Sequence, residues 1–197
     1  MNITPALGRE LRRLLAANKY EASDSGLFFP SANLSVQGMG TFRTQVIRNG
    51  VAGPWQIDNN TMTTEGLTHL LNVGFHDASK TSTWYVSLYS NNYTPVAGLT
   101  AATYPATAGE EENYDESTRV AYVENAASSA SINNTGSEAQ FTISTGGATV
   151  WGSGLHSASA KSATTGVLAC AVQFSAVRNL LAADLLKIGY TITLTPA

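Results

Sequence analysis

The stretch KIGYTITLT, residues 187–195, alternates apolar and polar residues along its length. Successive side chains of a β-strand point to opposite faces, so this alternation predicts a strand with one buried face. The buried face would hold Ile188, Tyr190, Ile192 and Leu194. Such a strand needs neighbouring strands beside it and a second layer against its apolar face.

Shorter segments with strand character precede this one, and polar turns separate them. They lie at 83–90, 120–123, 139–144, 148–151 and 167–175. The turns read NNTGSE, STGG, SGLHSASAKSATTG and NLLAAD, so WGSGLH (151–156) is interpreted as entering a turn. Short strands at regular spacing predict a mainly β fold, either a β-sandwich or a jelly-roll-like domain.

A hairpin is predicted at TFRTQVIRNGVAGPWQI, residues 41–57. Asn49-Gly50 is a strong two-residue turn signal because both residues accept a positive φ. Pro54 has no backbone N–H to donate, so we expect the returning strand to lie at a sheet edge or to bulge.

An N-terminal helix is predicted at residues 4–18, with Thr4 as its N-cap and Pro5 at its first position. Leucines recur at helical spacing on one face, and three arginines lie mostly off it. Residues 19–40 are interpreted as an arm with short β potential near Phe28. The chain is therefore divided into a helix and arm, 1–40, and a β-sandwich-like domain, 41–197.

One additional helix is predicted near 63–75, TTEGLTHLLNVGF. Thr63 is a suitable N-cap, and Glu65 suits the positive end of the helix dipole. The apolar residues of this helix are expected to form a buried stripe, consisting of Leu67, Leu70, Leu71 and Phe75.

The chain is weakly charged: Asp, Glu, Lys and Arg make up 13% of its residues, against roughly 25% in typical soluble domains. Few charges on a β-rich surface suit burial in an assembly. Residues 1–50 hold six basic and three acidic side chains, whereas residues 51–197 hold five and eleven. This basic half is too sparse for duplex DNA, and the sequence contains no apolar run long enough for export or a membrane span.

Signals of catalysis or metal binding are weak. Cys170 is the single cysteine and sits in an apolar run, which indicates a buried thiol. Glu65 and His69 are spaced i, i+4, but zinc sites usually need three protein ligands. A long polar stretch, 91–118, has the length of a functional or mobile loop. It carries a cluster of five acids from Glu110 to Glu116, and we interpret this cluster as a solvated or partner-facing loop. We predict no enzyme activity and no cofactor or metal.

Two stretches resemble a recurring pattern in structural proteins of tailed bacteriophages. The first is FRTQVIRNGVAGPWQIDNNTMTTEGLTHLLNVGF (42–75) followed by STWYVSLYS (82–90). The second is FSAVRNLLAADLLKIGYTITL (174–194), which is similar to the closing hairpin of those proteins. Their turn usually has Gly-Asp where this chain has Ala183-Asp184.

The resemblance implies a virion protein, assembled in the cytoplasm of a host bacterium, that docks on the capsid lattice as a decoration or cement protein. Its expected partners are the major capsid protein, or tail and connector subunits, with further copies of itself as a homo-oligomer. Neither nucleic acid nor membrane is expected as a partner. The candidate partner-binding residues are Leu7, Arg9, Leu11, Arg12, Arg13, Leu14, Tyr20, Phe28, Phe29 and Trp55.

Two alternatives stay open. The protein could be a head–tail or tail-fibre adaptor, since related β domains occur at several places on the virion. It could also be a carbohydrate- or receptor-binding module, because aromatic rings can stack on sugars. The candidate rings are Trp84, Tyr85, Tyr89, Tyr93 and Trp151.

Overall fold

A computed structural model describes the backbone of residues 20–22, 28–30 and 36–196, with side chains from residue 40 to residue 194. The fold is mainly β, with antiparallel sheets, and is β-sandwich-like as predicted. The predicted helix at 4–18 lies outside the described residues, and so do its candidate partner-binding residues Leu7, Arg9, Leu11, Arg12, Arg13 and Leu14. Residues Gly38–Thr195 form one compact unit, while the proposed division at residue 40 stays a prediction.

Two short strands within residues 19–40 pair with each other in antiparallel fashion. Strand β1 (Tyr20–Ala22) pairs with β2 (Phe28–Pro30), and Glu21 lies opposite Phe29. The backbone of the candidate residues Tyr20, Phe28 and Phe29 therefore belongs to a two-stranded sheet.

The first large sheet is built around two long strands, β3 (Val36–Arg48) and β14 (Leu185–Pro196). Asn49 and Gly50 have φ values of 52° and 76°, which confirms the predicted hairpin turn after β3. The returning strand is broken around Pro54, as expected, into β4 and β5 at one edge of the sheet. The shorter strands are β4 (Val51–Ala52) and β5 (Gln56–Asn59) beside β3, and β10 (Ser131–Asn133) and β11 (Ala139–Thr142) beside β14.

The second large sheet runs β6, β13, β12, β7, β8, with β9 also paired to β7. Its strands are β6 (Thr61–Met62), β7 (Trp84–Tyr89), β8 (Glu110–Glu111), β9 (Val120–Tyr122), β12 (Ala148–His156) and β13 (Leu168–Leu180). The interpretation of 151–156 as a turn is wrong. Those residues continue β12, and 152–156 pair with both β13 and β7. A strand with partners on both sides can contain Gly and Ser and keep its backbone hydrogen bonds.

The main core lies between the two sheets. Phe42 of β3 stacks on Tyr190 of β14 with ring centroids 4.2 Å apart, and the second sheet contributes Val86, Leu88 and Phe174. Cys170 is fully buried there, as predicted, and burial raises the pKa of its thiol to about 12. The thiol donates a hydrogen bond to Tyr190 Oη at 3.1 Å.

Residues 91–118 are here named the covering segment. Their first part lies over the outer face of the second sheet, and Glu110–Glu111 then join the sheet as β8. Leu99, Tyr104 and Ala108 of the segment are buried against Tyr89 and Leu168 of the sheet. A π-helical turn, Pro105–Gly109, lies within it. This long polar stretch is therefore packed on the sheet, because the aromatic and small apolar residues among the polar ones form a second core.

Helix α1 (Thr64–Phe75) follows β6 and packs on β13. The predicted N-cap is confirmed: Thr63 Oγ1 accepts the backbone N–H of Gly66 at 2.9 Å.

Candidate partner-binding surfaces

The first turn of α1 is fixed to the second sheet by three kinds of contact. Thr63 Oγ1 donates a hydrogen bond to the carbonyl of Leu168. The Glu65 carboxylate accepts the backbone N–H groups of Leu168 at 2.7 Å and Ala101 at 2.8 Å. Gly66 lies so close to the sheet that a Cβ there would be 2.3 Å from the Ala169 carbonyl oxygen. These contacts fix which side of the helix faces the sheet.

With that side of the helix against the sheet, a row of apolar side chains on another side points outward. Leu67, Leu71 and Phe75, spaced i, i+4, i+8, are 43%, 60% and 91% exposed. We call these three residues the α1 ridge. The predicted buried stripe is wrong, because these three residues are exposed and its fourth member, Leu70, is 44% exposed. The missed signal was Gly66, three residues after the N-cap, because a residue without a Cβ allows the helix to approach the β13 backbone there.

A cavity of about 270 Å³ opens beside the helix, where the two sheets separate. Its walls are mainly apolar, and Lys80 and Glu124 bring opposite charges to its lining. We call this space the α1 cavity. Its larger apolar and aromatic wall residues are Met62, Leu70, Trp84, Tyr122, Ile132, Leu155 and Ile192.

A second apolar surface lies at the edge of the first sheet. Val51 of β4 and Ile57 of β5 are 72% and 70% exposed, and Trp55 between them is 38% exposed. The Arg43 guanidinium carbon lies 4.7 Å from the centroid of the Trp55 ring and also pairs with Glu138. We call Arg43, Val51, Trp55 and Ile57 the β4–β5 edge. Trp55 is the one predicted partner-binding residue whose side chain the structure describes.

A shallow groove continues this edge toward the end of β13. Arg48, which lines it, is partly exposed and binds Asp184 through Nη2 and Oδ2 at 2.6 Å. The hydrogen bond from Arg48 holds the pKa of Asp184 below its usual value. A second arginine, which is partly exposed to solvent, therefore lies beside the β4–β5 edge.

The described part of the chain also holds a serine–histidine pair. His156 Nε2 lies 2.9 Å from Ser87 Oγ, which donates to Tyr104 Oη at 2.7 Å. Burial, with a smaller effect of Arg119, holds the pKa of His156 well below its usual value. Ser87 and His156 are both 0% exposed, and His156 Nδ1 has no partner. The pair lacks the orienting acid and the open path to solvent that a nucleophile needs, so it serves packing.

Part of the acidic cluster is bonded within the domain, whereas Glu112 and Asp115 are exposed, so its interpretation as a solvated or partner-facing loop holds for only part of it. Arg119 Nη2 and Nε bind the Glu110 carboxylate at 2.6 and 2.7 Å, and both side chains are 0% exposed. Glu116 accepts the Thr142 N–H with both oxygens at 3.1 Å. In the described ranges no group of His, Cys, Asp and Glu side chains could hold a metal ion.

The aromatic rings considered for sugar stacking do not form one platform. Tyr89 is fully buried and donates to the Val172 carbonyl at 2.8 Å. Trp84 packs against the main core, whereas Tyr93 and Trp151 pack against the cluster under the covering segment. A sugar could therefore contact only part of this set at once.

Comparison with known proteins assigns no function to these surfaces. No protein-family model matches the chain, and no curated protein matches it significantly. Across residues 20–22, 28–30 and 36–196, no helix has the length and apolar character that crossing a membrane requires.

Proposed function

We propose that the protein is a structural component of a tailed-phage virion, and that it docks on the capsid lattice as a decoration or cement protein through the β4–β5 edge. The observation that carries the proposal is a pair of short edge strands, β4 and β5, whose aliphatic residues Val51 and Ile57 are 72% and 70% exposed. The resemblance of the sequence to phage structural proteins is the basis for proposing a virion as the assembly. The edge is the surface proposed to contact it.

An exposed apolar edge is unusual in a protein that works alone. Proteins normally protect edge strands with charges or cover them, since an open edge pairs with other chains. Here Val51 and Ile57 are uncovered, and Trp55 carries an arginine on its ring. Tryptophan and arginine are enriched at the energetic centres of protein interfaces. The edge therefore has the composition of a docking site.

Two arginines at the edge can bind the carboxylates of an acidic partner surface. Arg43 lies opposite Ile57 and Arg48 opposite Val51, and their side chains, which also pair with acids of the domain, are 31% and 44% exposed. Arginine binds carboxylates with two parallel hydrogen bonds, which fixes orientation as well as position. A regular lattice presents the same acidic site many times, so modest contacts by individual copies of an oligomer act together.

The edge is tested by Ile57→Asp, which places a carboxylate where an apolar residue would meet an acidic partner. Purified chain is mixed with phage particles that lack it, and bound chain is measured after sedimentation. We expect binding to fall roughly tenfold or more, as for an interface anchor. The control is Val96→Asp in the covering segment, which changes a side chain 56% exposed and should leave binding unchanged.

Equal binding by Ile57→Asp and the unchanged chain would remove the edge from the proposal. Imaging of the bound, labelled chain tests the location separately. Label over the capsid surface is the expected result, and label confined to the tail would contradict a capsid role.

A further inference from the structure

We infer that the β4–β5 edge binds its partner by strand addition, in which an extended segment of a lattice subunit pairs with the free side of β5. The inference deepens the proposed function and rests on it, since it states how the same edge would hold the capsid. Two observations carry it. Backbone groups of the edge point away from the domain, and an open groove lies where side chains of an added strand would be placed.

The hydrogen-bonding pattern of β5 leaves two residues whose backbone groups face outward. The Asn60 N–H donates to the Gly40 carbonyl at 3.1 Å, and the same register continues to Asn59 and Ile57. Hydrogen-bonded and non-hydrogen-bonded pairs alternate along an antiparallel ladder. The N–H and C=O groups of Ile57 and Asn59 therefore point away from β3, and no other described strand pairs with β5.

The same alternation applies to β4. The Gly53 N–H donates to the Val46 carbonyl at 2.8 Å, and Ile47 lies opposite Ala52, so the backbone groups of Ala52 also point outward. The break around Pro54 separates Ala52 from β5. One added strand can therefore bond to β5 and, beyond the break, to β4. Such strand addition gives affinity through the main chain and specificity through alternate side chains.

The groove beside β4 lies toward the inner side of this edge, since Val46 of its lining also packs against the main core. It has a volume of about 480 Å³, and Val46, Val51 and Val177 form its aliphatic walls. Side chains of an added strand alternate between the two faces of the sheet, so every second one would point to the inner side. We therefore expect an aliphatic side chain of the partner to occupy the groove.

The charges of the groove disfavour a basic segment. Arg48 and Arg178 are its charged lining residues. Arg48 is 44% exposed, whereas Asp184, with which it pairs, is 3% exposed, so the charge that solvent meets is mainly that of the arginine. A like charge on the partner would be repelled there. The added segment is thus expected to combine aliphatic residues with neutral or acidic ones.

A second copy of the chain fits this edge less well. Two β5 strands that both use Ile57 and Asn59 for hydrogen bonding would pair around Asp58, which places the two Asp58 carboxylates opposite each other. Like charges directly opposite on neighbouring strands are destabilising. Asp58 is also fixed in its own domain, where Oδ1 accepts the Ser175 N–H at 2.8 Å. The favoured occupant is therefore a segment of another protein.

Proline at residue 59 tests the backbone bonds, with binding to phage particles that lack the chain measured by sedimentation. Asn59→Pro removes an outward N–H without breaking a bond to β3, because proline is tolerated where the N–H of an edge strand faces solvent. Asn59→Ala keeps that N–H and is the matched reference. We expect Asn59→Pro to bind on the order of tenfold more weakly than Asn59→Ala, since it loses a ladder hydrogen bond and sets its ring against the added strand. Thermal unfolding checks that both variants are folded.

Hydrogen exchange of the unchanged chain gives a second measurement that needs no substitution. Free chain and particle-bound chain are incubated in heavy water, and exchange at Ile57 and Asn59 is read by fragmentation mass spectrometry after quenching. We expect both amides to exchange rapidly in the free chain, because their N–H groups face solvent, and clearly more slowly on the particle, where the added strand would accept them.

The outcomes separate this inference from the capsid role. Equal binding by Asn59→Pro and Asn59→Ala, or unchanged exchange at both amides in the bound chain, would overturn strand addition. A dimer of the free chain that Asn59→Pro dissociates in sedimentation velocity would overturn it too, because a second copy would then occupy the edge. If Ile57→Asp still weakens binding to particles, only strand addition fails and the edge remains the docking surface. If the unchanged chain binds no particles, the proposed function itself fails, and this inference fails with it.

Discussion

Helix α1 and the covering segment lie next to each other on the second sheet, but they differ in which kinds of side chain they bury. The helix presents Leu67, Leu71 and Phe75 to solvent, whereas the covering segment buries the ion pair of Glu110 with Arg119. The two are joined by Glu65, whose carboxylate accepts the N–H of Ala101.

The contrast shows that hydrogen bonds and backbone proximity decide which groups are buried. The helix is held by its N-cap and by a glycine against the sheet, and its larger apolar residues are left outside. The covering segment can bury a charge because the arginine is bonded to a carboxylate and to the carbonyls of Ala158 and Ala163. A buried charge is tolerated when its hydrogen bonds are complete.

The largest loss of folding stability is expected when the buried ion pair of Glu110 and Arg119 is broken. Arg119→Ala leaves the Glu110 carboxylate buried without its partner, and should lower the free energy of unfolding by about 3–5 kcal/mol. Urea denaturation measures the change. Arg43→Ala is the control, because both side chains of its ion pair with Glu138 are partly exposed, 31% and 14%, and it should cost clearly less. Equal losses would show that burial does not distinguish the two pairs.

A smaller effect is expected from two glycines of the same helix. Gly66→Ala sets a Cβ 2.3 Å from the Ala169 carbonyl oxygen, and should cost about 1–3 kcal/mol through overpacking. At Gly74 a Cβ meets nothing within 4 Å, and Gly74→Ala should stabilise the fold by about 0.5–1 kcal/mol. Thermal unfolding of both variants gives the sign of each change. A neutral Gly66→Ala would mean that the helix is not held against β13 in this way.

The smallest expected effect is a change of stability with pH. It arises in the cluster of Ser87, Tyr104 and His156, through which the covering segment contacts β12. His156 stays neutral in the fold because its pKa is lowered, whereas the unfolded chain takes up a proton below about pH 6.5. Stability is therefore complete above that pH and falls as the solution is acidified, by at most about 1.4 kcal/mol per pH unit. Urea denaturation between about pH 7.5 and pH 5.5 should show this slope.

Replacement of the histidine separates its contribution from that of other groups. His156→Gln should flatten the slope, whatever its effect on stability at neutral pH. His76→Gln, which changes an exposed histidine, should retain it. A slope that survives in His156→Gln would assign the pH dependence to other residues.

Local patterns in the sequence predicted a large part of the fold. The alternation in 187–195 identifies β14, the Asn49-Gly50 pair identifies the hairpin, and Thr63 identifies the start of α1. Each of these features depends on residues that are neighbours in the chain, so a sequence contains the information directly. Trp55 was selected as an aromatic anchor, and the structure places it at an exposed sheet edge.

The features that local patterns missed depend on distant residues. The outward rotation of α1 is fixed by Leu168 and Ala169, about 100 residues away in the chain. The burial of Tyr104 requires the sheet face that Ser87 and His156 provide. Spacing within a helix or loop predicts that an apolar or polar face exists, but the partner that covers it is set by the tertiary fold.

The full burial of Cys170, hydrogen-bonded to Tyr190 and with a raised thiol pKa, has a practical consequence. Thiol-directed reagents react with the thiolate at accessible sites, so the native cysteine should remain unmodified while the domain is folded. A cysteine introduced at a chosen surface position would then be the sole attachment point, and a fluorophore or electron-dense tag could be placed there without mutating the natural thiol.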